Sequence, residues 1–287
     1  MDWDHKNKEP KIMVVDSHVH FWNYDKVKDA WITDDMKVIQ QHFLPEQIKK
    51  ELQCNSIDAV VAVQADQSEM ETFFLKQLAY DNSFIKGIVG WVDLQNENIE
   101  EQLHIFSKYP VIKGWRHIVQ AEPDGFLTNE NFLRGIGCLQ KYQYTYDILV
   151  YPNQLNETLT FVNRFPNQKF VIDHCAKPTI SKNEINEWKQ LMKEFSQQSN
   201  VYCKLSGLIT EAKWNEWKDV DFYPYLDVVF DSFGTSRVMF GSDWPVILLS
   251  GTYAMWKGVV KNYMKQFSEV EQKNVFGMNA IKFYNLS

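Results

Sequence analysis

The stretch Val-Val-Asp-Ser-His-Val-His-Phe at residues 14–21 joins an apolar run to two histidines that stand two positions apart. Side chains alternate between the two faces of a β-strand, so we expect His18 and His20 to point the same way. Two later stretches, VIDHCAKP and FGSDWP, are also apolar runs that lead into chemically active residues, His174 and Asp243. Three imidazoles and one carboxylate at the ends of separate strands predict an active site.

Strand-like and helix-like stretches alternate along the whole chain. Eight segments are rich in Val, Ile and aromatic residues, which is typical of strands, and they cover residues 12–20, 57–65, 85–94, 111–119, 144–151, 169–175, 201–207 and 237–242. Helical patterns lie between or after them, at residues 45–54, 69–82, 98–108, 130–142, 153–165, 184–198, 223–233 and 253–266.

This alternation predicts an α/β fold, a (β/α)8 TIM barrel, whose usual size is roughly 250 residues. We expect one domain over residues 1–287, folded from about 12 to 285, because no low-complexity segment or Pro/Gly/Ser-rich linker interrupts the chain. Residues 269–284 predict an extra C-terminal helix that closes the barrel. A doubly wound sheet is the alternative, but it normally has fewer strands, and no Gly-rich fingerprint follows the first strand.

Composition restricts the partners and the compartment. A net charge of −7 argues against nucleic acid, which requires a basic surface. No apolar run reaches the roughly 18 residues of a membrane span, so we expect no membrane association. The four cysteines show no CxxC spacing and the N-terminus lacks the apolar stretch of a signal peptide, so we expect reduced thiols and a cytoplasmic protein. The sequence leaves a homo-oligomer open.

His18, His20, His174 and Asp243 allow two chemical interpretations. Their donor atoms suit one Zn²⁺ or a similar divalent ion. The same imidazoles could instead donate hydrogen bonds directly to a carbonyl oxygen that becomes negative during attack by water. In either case Asp243 is the expected general base. The other interpretation of the histidines is a purely structural one, which their position at strand ends disfavours.

Cationic residues at other strand ends are candidates for contact with a substrate. Alternation sends Arg116 and His117 to opposite faces, and we favour Arg116 inside because a guanidinium suits carboxylate or lactone oxygens. Lys204 lies near the end of the seventh predicted strand, where we expect it to contact the substrate or the acids of the site. Lys177, just before Pro178, could face the substrate or the solvent, and the sequence does not decide between them.

Tryptophans give a second indication of a binding site. Trp22, Trp91, Trp115 and Trp244 all lie at or next to predicted strand ends. Each one alone could pack in the core, but four around one mouth predict a pocket lined with flat apolar faces, which small rings prefer. We therefore assign Trp22, Trp91 and Trp244 to substrate binding, together with Arg116 and Lys204.

Taken in order, these motifs resemble those of the amidohydrolase superfamily, in its amidohydrolase-related (type 2) branch. That branch includes hydrolases of sugar lactones, such as L-fucono- and L-rhamnonolactone, and of 2-pyrone-4,6-dicarboxylate. The resemblance runs from about residue 12 to 285. It is carried by DSHVHFW at 16–22, KGWRH at 113–117, DHCAKP at 173–178, KLSG at 204–207, GSDWP at 241–245, and NA with FY within 279–284.

The resemblance implies a lactonase, a hydrolase in which water opens a lactone ring. It implies contact of His18, His20 and His174 with a metal or with the lactone carbonyl. It also implies activation of the water by Asp243 and binding of substrate oxygens by Arg116. Dinuclear members of the superfamily add a bridging lysine or glutamate and a further histidine, and the fifth predicted strand here, YTYDILVY, carries none. We therefore expect one divalent metal, Zn²⁺ first, or none.

Charge narrows the substrate further. The chain has four arginines, and Arg134, Arg164 and Arg237 lie on predicted helices or at a strand start, away from the mouth. One arginine, Arg116, suits a neutral aldonolactone better than a pyrone dicarboxylate. Two other functions stay open: a zinc-dependent decarboxylase of a small unsaturated acid, and a barrel that binds a sugar acid without catalysis.

Overall fold

Residues 12–287 are described by the computed structural model, in which eight parallel strands form a barrel wall in the order of the chain. Nearly all residues of these strands are buried, because helices cover the outside of the barrel and side chains fill its inside. The strands are β1 Val15–Val19, β2 Ala59–Val63, β3 Ile85–Gly90, β4 Ile112–His117, β5 Thr145–Ile148, β6 Phe170–Ile172, β7 Val201–Leu205 and β8 Val238–Phe240.

The barrel closes between β8 and β1. The Asp243 N–H donates to the His18 carbonyl at 2.9 Å, and the His20 N–H donates to the Trp244 carbonyl at 2.7 Å. Buried Asp16 links the same two strands across the seam, which is the junction of β8 with β1. Its Oδ1 accepts the backbone N–H of His18 on one side and of Ser242 on the other. The seam therefore joins the two chain segments that carry predicted site residues.

Helices pack around this wall through apolar faces, as with the buried Phe132 and Ile136. They are α1 Pro45–Cys54, α2 Glu69–Asp81, α3 Ile99–Phe106, α4 Glu130–Leu139, α5 Leu155–Asn163, α6 Asn186–Ser196, α7 Leu208–Glu211, α8 Asp219–Phe233, α9 Tyr253–Met264, α10 Glu269–Lys273 and α11 Asn279–Tyr284.

The C-terminal segment closes the amino end of the barrel. A π-helical stretch, Asn274–Met278, joins α10 to α11. Phe283 and Tyr284 on α11 are buried against residues that point into the barrel, among them Val15 and Met239. This end is thereby filled, and the opposite end, where the strands terminate, is left for a site.

The structure confirms the predicted (β/α)8 barrel with its extra C-terminal helix. The single helix predicted for residues 269–284 is divided into α10, the π-helical stretch and α11, and two other helices differ from the prediction at their start or in their existence. α8 begins at Asp219 rather than at residue 223, because the Asp221 carboxylate accepts the Lys218 N–H at 2.8 Å and stabilises an earlier first turn. α7 was not predicted, since four residues are too few to show a helical period. Among the described residues, no helix combines the length and apolarity needed to cross a bilayer.

Candidate active site

Three imidazoles and one carboxylate converge at the carboxyl end of the barrel. His18 and His20 lie at the end of β1, His174 follows β6 and Asp243 follows β8. Asp243 Oδ1 lies 3.2 Å from His20 Nε2, 3.8 Å from His18 Nε2 and 3.9 Å from His174 Nε2. All four side chains are buried. The structure thus brings together the four residues that the sequence singled out, with one carboxylate oxygen facing three ring nitrogens.

A cavity of about 290 Å³ opens onto this cluster. Its volume is at the small end of the range for ligand sites, which suits a molecule with a single ring. The charged and titratable side chains that line it are His20, Arg116, His174, Lys177 and Asp243. Its apolar and aromatic surface comes from Trp22, Trp31, Ala65, Ile118, Ala121, Leu149 and Val246.

The hydrogen bonds of His20 show which of its nitrogens is free for chemistry. His20 donates its Nδ1 proton to the Val63 carbonyl at 2.8 Å, since a carbonyl oxygen only accepts. In the neutral ring, Nε2 then presents a lone pair 3.1 Å from His18 Nε2 and 3.2 Å from Asp243 Oδ1. Lone pairs and a carboxylate this close repel one another unless a proton or a metal cation lies between them. Imidazole nitrogens with a carboxylate oxygen are ligands that Zn²⁺ accepts, so these residues fit a divalent metal.

Burial favours the neutral form of two of the imidazoles. It lowers the pKa of His18 and of His174 well below the ordinary value of 6.5, because a charged ring loses its hydration inside the barrel. The carboxylates of Asp173 and Asp243 oppose this effect without reversing it. Neutral imidazole is the form that binds a metal, so the protonation state also fits a metal site.

Asp243 is ionised although it is buried. Burial raises the pKa of its carboxyl group, but the interactions with His174 and His20 and the positive charge of Lys177 outweigh that effect. Together they hold the pKa below its ordinary value of 3.8. At neutral pH this side chain is therefore a carboxylate on the wall of the cavity, able to accept a proton from a water molecule within hydrogen-bond reach.

The segment that carries His174 has an unusual backbone. His174, Cys175, Ala176 and Lys177 are four successive residues with φ between 49° and 56°, in the left-handed region. Each residue other than glycine is disfavoured there by roughly 1–2 kcal/mol, and such strain concentrates at functional sites. The Lys177 N–H donates to the His174 carbonyl at 2.8 Å, which closes one left-handed turn. The turn places the side chains of His174 and Lys177 on the same cavity.

A fully buried layer of charges lies beneath the imidazoles. Arg116 Nη1 donates to Asp173 Oδ2 at 3.1 Å, and Lys204 Nζ lies 3.0 Å from Asp173 Oδ1 and 2.5 Å from Asp147 Oδ2. Asp173 Oδ1 is also 3.3 Å from His18 Nδ1. Burial raises the pKa of Asp173, but Lys204, His18 and Arg116 outweigh it and hold that pKa well below 3.8. This layer fixes the orientation of His18 from the inside of the barrel.

The sequence analysis assigned no role to Asp173 or Asp147. Asp173 follows an apolar strand stretch and Asp147 interrupts one. An acid in such a buried position predicts a cationic partner, because an acid is rarely buried without one. Lys204 is that partner for both of them. Lys204 and Arg116 together balance the charges of the two buried acids.

Lys204 does not line the cavity, contrary to its assignment to substrate binding. It has no exposed surface, and its ammonium group is held by Asp147 and Asp173, so it contacts the acids of the site and not a ligand. Of the neighbouring pair on β4, Arg116 faces the cavity, and His117 turns away from it, toward a loop carboxylate.

Of the three tryptophans assigned to substrate binding, one lines the cavity and two do not. Trp22 lines the cavity. Trp91 does not, because its indole N–H is directed to His117 Nδ1 at 3.2 Å. Trp244 is buried and packs edge-on against Phe43, with ring centroids 5.2 Å apart, so it supports the wall and does not face a ligand.

Among the cavity residues that the sequence pattern did not indicate are Trp31 and Gln67. Both lie in loops that have neither a strand nor a helix period. Trp31 packs edge-on against Trp22, with ring centroids 6.0 Å apart, and so continues the aromatic side of the cavity. A tryptophan in an otherwise polar loop was the one local signal available for it.

Comparison with known proteins identifies the family of this chain. The amidohydrolase family model matches residues 15–286. An L-fucono-1,5-lactonase of Burkholderia multivorans is 34% identical over 284 residues, which cover 95% of this chain and 96% of that protein. An L-fucono-1,5-lactonase of Burkholderia ambifaria is 32% identical over 278 residues, with 95% of each chain covered.

A solved structure extends the comparison to three dimensions. A crystal structure of an amidohydrolase from Burkholderia multivorans with bound Zn superimposes with a TM-score of 0.93 at 34% sequence identity. The match covers 96% of this chain and 100% of that one. The family resemblance inferred from the motifs is confirmed, and this chain belongs to the amidohydrolase family.

Proposed function

We propose that this protein hydrolyses the lactone of a sugar acid, with Asp243 as the base that activates water. The observation that carries the proposal is the approach of Asp243 Oδ1 to three imidazole nitrogens beside a cavity of about 290 Å³, which His20, His174 and Asp243 line. A base beside groups that stabilise negative charge is the arrangement that ester hydrolysis requires. The L-fucono-1,5-lactonases of Burkholderia, which share about a third of their residues with this chain, support a lactone as substrate.

The chemistry follows from the roles of these side chains. The Asp243 carboxylate accepts a proton from water as the water oxygen bonds to the lactone carbonyl carbon. Negative charge then builds on the carbonyl oxygen, and we assign its stabilisation to the cluster of His18, His20 and His174. Collapse of the intermediate breaks the bond between the carbonyl carbon and the ring oxygen, which leaves an open-chain hydroxy acid.

The same four residues, His18, His20, His174 and Asp243, would hold a divalent metal such as Zn²⁺. When bound, the ion would supply Lewis-acid polarisation of the lactone carbonyl. Asp173 and Lys204 contact the ring of His18 at Nδ1, and the nitrogen that faces Asp243 is Nε2.

The charges of the cavity favour a neutral substrate. The Arg116 guanidinium is already paired with Asp173 and donates to the Gln64 carbonyl, so little of it is left for a ligand carboxylate. Lys177 is the other cationic side chain among the described residues that line the cavity. A ring with two carboxylates would therefore bury at least one negative charge without a partner, which is costly. A neutral aldonolactone, with hydroxyl groups and one flat ester, carries no such cost.

A panel of lactones assayed with a pH indicator tests the proposal. We expect hydrolysis of a neutral aldonolactone such as L-fuconolactone or L-rhamnonolactone. We expect kcat/KM for 2-pyrone-4,6-dicarboxylate to be lower by roughly tenfold or more, a difference of about 1.4 kcal/mol in transition-state stabilisation. Assays with and without chelator, after measurement of bound metal, show whether an ion contributes.

Asp243→Asn is the decisive variant. It keeps the shape of the side chain and removes its basicity, so we expect kcat to fall by roughly 10²-fold or more with little change in substrate affinity. Asp93→Asn is the control, because Asp93 lies at a different strand end and does not line the cavity. Retained activity in Asp243→Asn, or preference for the dicarboxylate, would refute the proposal.

A further inference from the structure

Lys177 lies on the cavity that holds Asp243, yet water activation makes no use of it. Its positive charge reaches the site, because it lowers the pKa of Asp243. Glu211 Oε1 lies 4.0 Å from its Nζ, and the ammonium group also sits 5.3 Å from the centroid of the Tyr151 ring. The ammonium group therefore has an acidic and an aromatic neighbour outside the cluster of imidazoles, and it is not simply solvated.

The strained turn is what brings Lys177 to the cavity. A strand that continued beyond β6 would alternate its side chains, and residues 174 and 177 would then point to opposite faces. The left-handed turn places them three positions apart on one helical face instead. Such a turn costs several kcal/mol over four residues other than glycine, so it requires compensation from the surrounding contacts.

Those contacts are present and specific. The Trp188 indole N–H donates to the Cys175 carbonyl at 2.7 Å, and Cys175 Sγ lies 3.2 Å from the Lys204 carbonyl. At the start of the turn, His174 Nδ1 lies 2.8 Å from Ser206 Oγ. These contacts stabilise a disfavoured backbone conformation. That conformation places one imidazole and one ammonium group on the same cavity.

Ring opening needs a proton donor, and the other candidates on the cavity are engaged. A guanidinium does not give up its proton in a protein, which excludes Arg116. His20 uses its Nδ1 proton on the Val63 carbonyl, and His174 directs Nδ1 to Ser206. Among the described residues that line the cavity, Lys177 is the cationic side chain that can transfer a proton.

We propose that Lys177 is a catalytic residue that donates a proton to the leaving ring oxygen; this rests on the lactone hydrolysis proposed above. As the bond between the carbonyl carbon and the ring oxygen breaks, its electron pair stays on that oxygen, which takes a proton from the Lys177 ammonium. Asp243 meanwhile holds the proton taken from water. The product acid ionises, one proton returns to Lys177, and one proton per turnover goes to solvent. Glu211 orients the ammonium group throughout.

Replacement of Lys177 with rescue by small amines tests this role. We expect Lys177→Ala to lower kcat for a neutral aldonolactone by roughly 10²-fold or more, the scale of a general acid. Added ethylammonium should restore part of kcat, because it carries a transferable proton. Tetramethylammonium, which has the charge without the proton, should not. Lys177→Arg should stay as slow as Lys177→Ala, since a guanidinium keeps its protons.

Controls separate this role from structural damage and from failure of the proposed function. Lys182→Ala removes an exposed lysine near the same turn and should keep wild-type kinetics. Lys177→Met preserves the length of the side chain and should be as slow as Lys177→Ala. Near-wild-type kcat in Lys177→Ala, absence of amine rescue, or equal rescue by tetramethylammonium would overturn the role of Lys177. A wild-type protein that opens no lactone would instead overturn the proposed function itself.

Discussion

Gly207 follows β7 and lies directly against the ring of His174. Its φ is 64°, in the left-handed region, and a Cβ placed on it would lie 2.6 Å from His174 Nδ1. Real Cβ atoms essentially never make contacts below 3.0 Å, so any side chain at position 207 displaces the imidazole. Because the ring is also bonded to Ser206, position 207 helps to decide where His174 Nε2 points.

We expect Gly207→Ala to lower kcat by roughly 10²-fold, since a catalytic group misplaced by about 1 Å loses rate on that scale. Gly125→Ala is the matched control: its φ is 91°, and no atom lies within 4 Å of where its Cβ would be. That variant should lose roughly 1–2 kcal/mol of unfolding free energy through the backbone alone and should keep its kcat. Steady-state kinetics and urea unfolding of both variants measure this, and similar kcat values for the two would contradict it.

At the residue scale, the sequence indicates which way a side chain faces but not how deep it lies. Period-two alternation predicts that His18 and His20 point together, and they do. Alternation also directs Lys204 into the barrel, but several layers of side chains fill that interior, and Lys204 belongs to a layer below the cavity. Its depth depends on Asp147 and Asp173, which come from other strands and are distant in the chain.

At the element scale, the first turn of α2 contains an unusual acid. Glu71 is buried, and its Oε1 accepts the Ala65 N–H at 3.2 Å. Burial raises the pKa of this carboxyl group from 4.5 to about 7. In the unfolded chain this carboxyl group keeps its ordinary pKa. Its burial therefore does not lower the free energy of unfolding below pH 4.5. The free energy of unfolding falls as the pH rises from 4.5 toward 7, and the loss is complete above pH 7.

We expect Glu71→Gln to stabilise the protein at pH 8 by about 3 kcal/mol and to give no such gain at pH 4.5. A pKa raised from 4.5 to about 7 corresponds to about 3 kcal/mol at high pH. Urea unfolding at both pH values measures the difference. Glu69→Gln, in the same first turn, controls for the helix-dipole effect. A gain of equal size at both pH values would contradict the assignment.

The left-handed turn after β6 is the element that the sequence could not predict. The segment DHCAKP contains no glycine, so nothing local signals a positive φ, and the alternating pattern predicted a strand as far as residue 175. The backbone leaves the strand at Asp173 because distant groups hold it there, among them the Trp188 indole and the Ser206 hydroxyl. The local sequence pattern predicts the start of a strand more reliably than the backbone conformation that follows its end.

At the scale of the whole molecule, the barrel was predictable because it is built from local repeats. Each strand pairs with the next one in the chain, so eight strand-and-helix units in succession already define the wall. Closure is different, since it joins β1 to β8 across almost the full length of the chain. Asp16 is the centre of that joint: its carboxylate accepts the N–H groups of His18 and Ser242 and the hydroxyl of Tyr253 on α9, and all of these contacts are buried.

Two tyrosines on α9 allow the contribution of this joint to be measured. Tyr253 donates its hydroxyl to buried Asp16 at 2.7 Å, and Tyr263 donates its hydroxyl to exposed Asp227 at 2.6 Å. The same replacement, tyrosine by phenylalanine, therefore removes the same kind of bond from the same helix. The two cases differ in whether water can replace the lost donor.

We expect Tyr253→Phe to lower the free energy of unfolding by about 2 kcal/mol, because it leaves a buried carboxylate oxygen without a donor. Tyr263→Phe should cost less than about 1 kcal/mol, since water solvates Asp227 once the hydroxyl is gone. Chemical unfolding of the two variants beside the wild type measures both values. Equal losses would mean that Asp16 does not hold the seam. A larger loss at Tyr253 would show that closure depends on one buried carboxylate, next to the strand ends that place His18, His20 and Asp243 around the cavity.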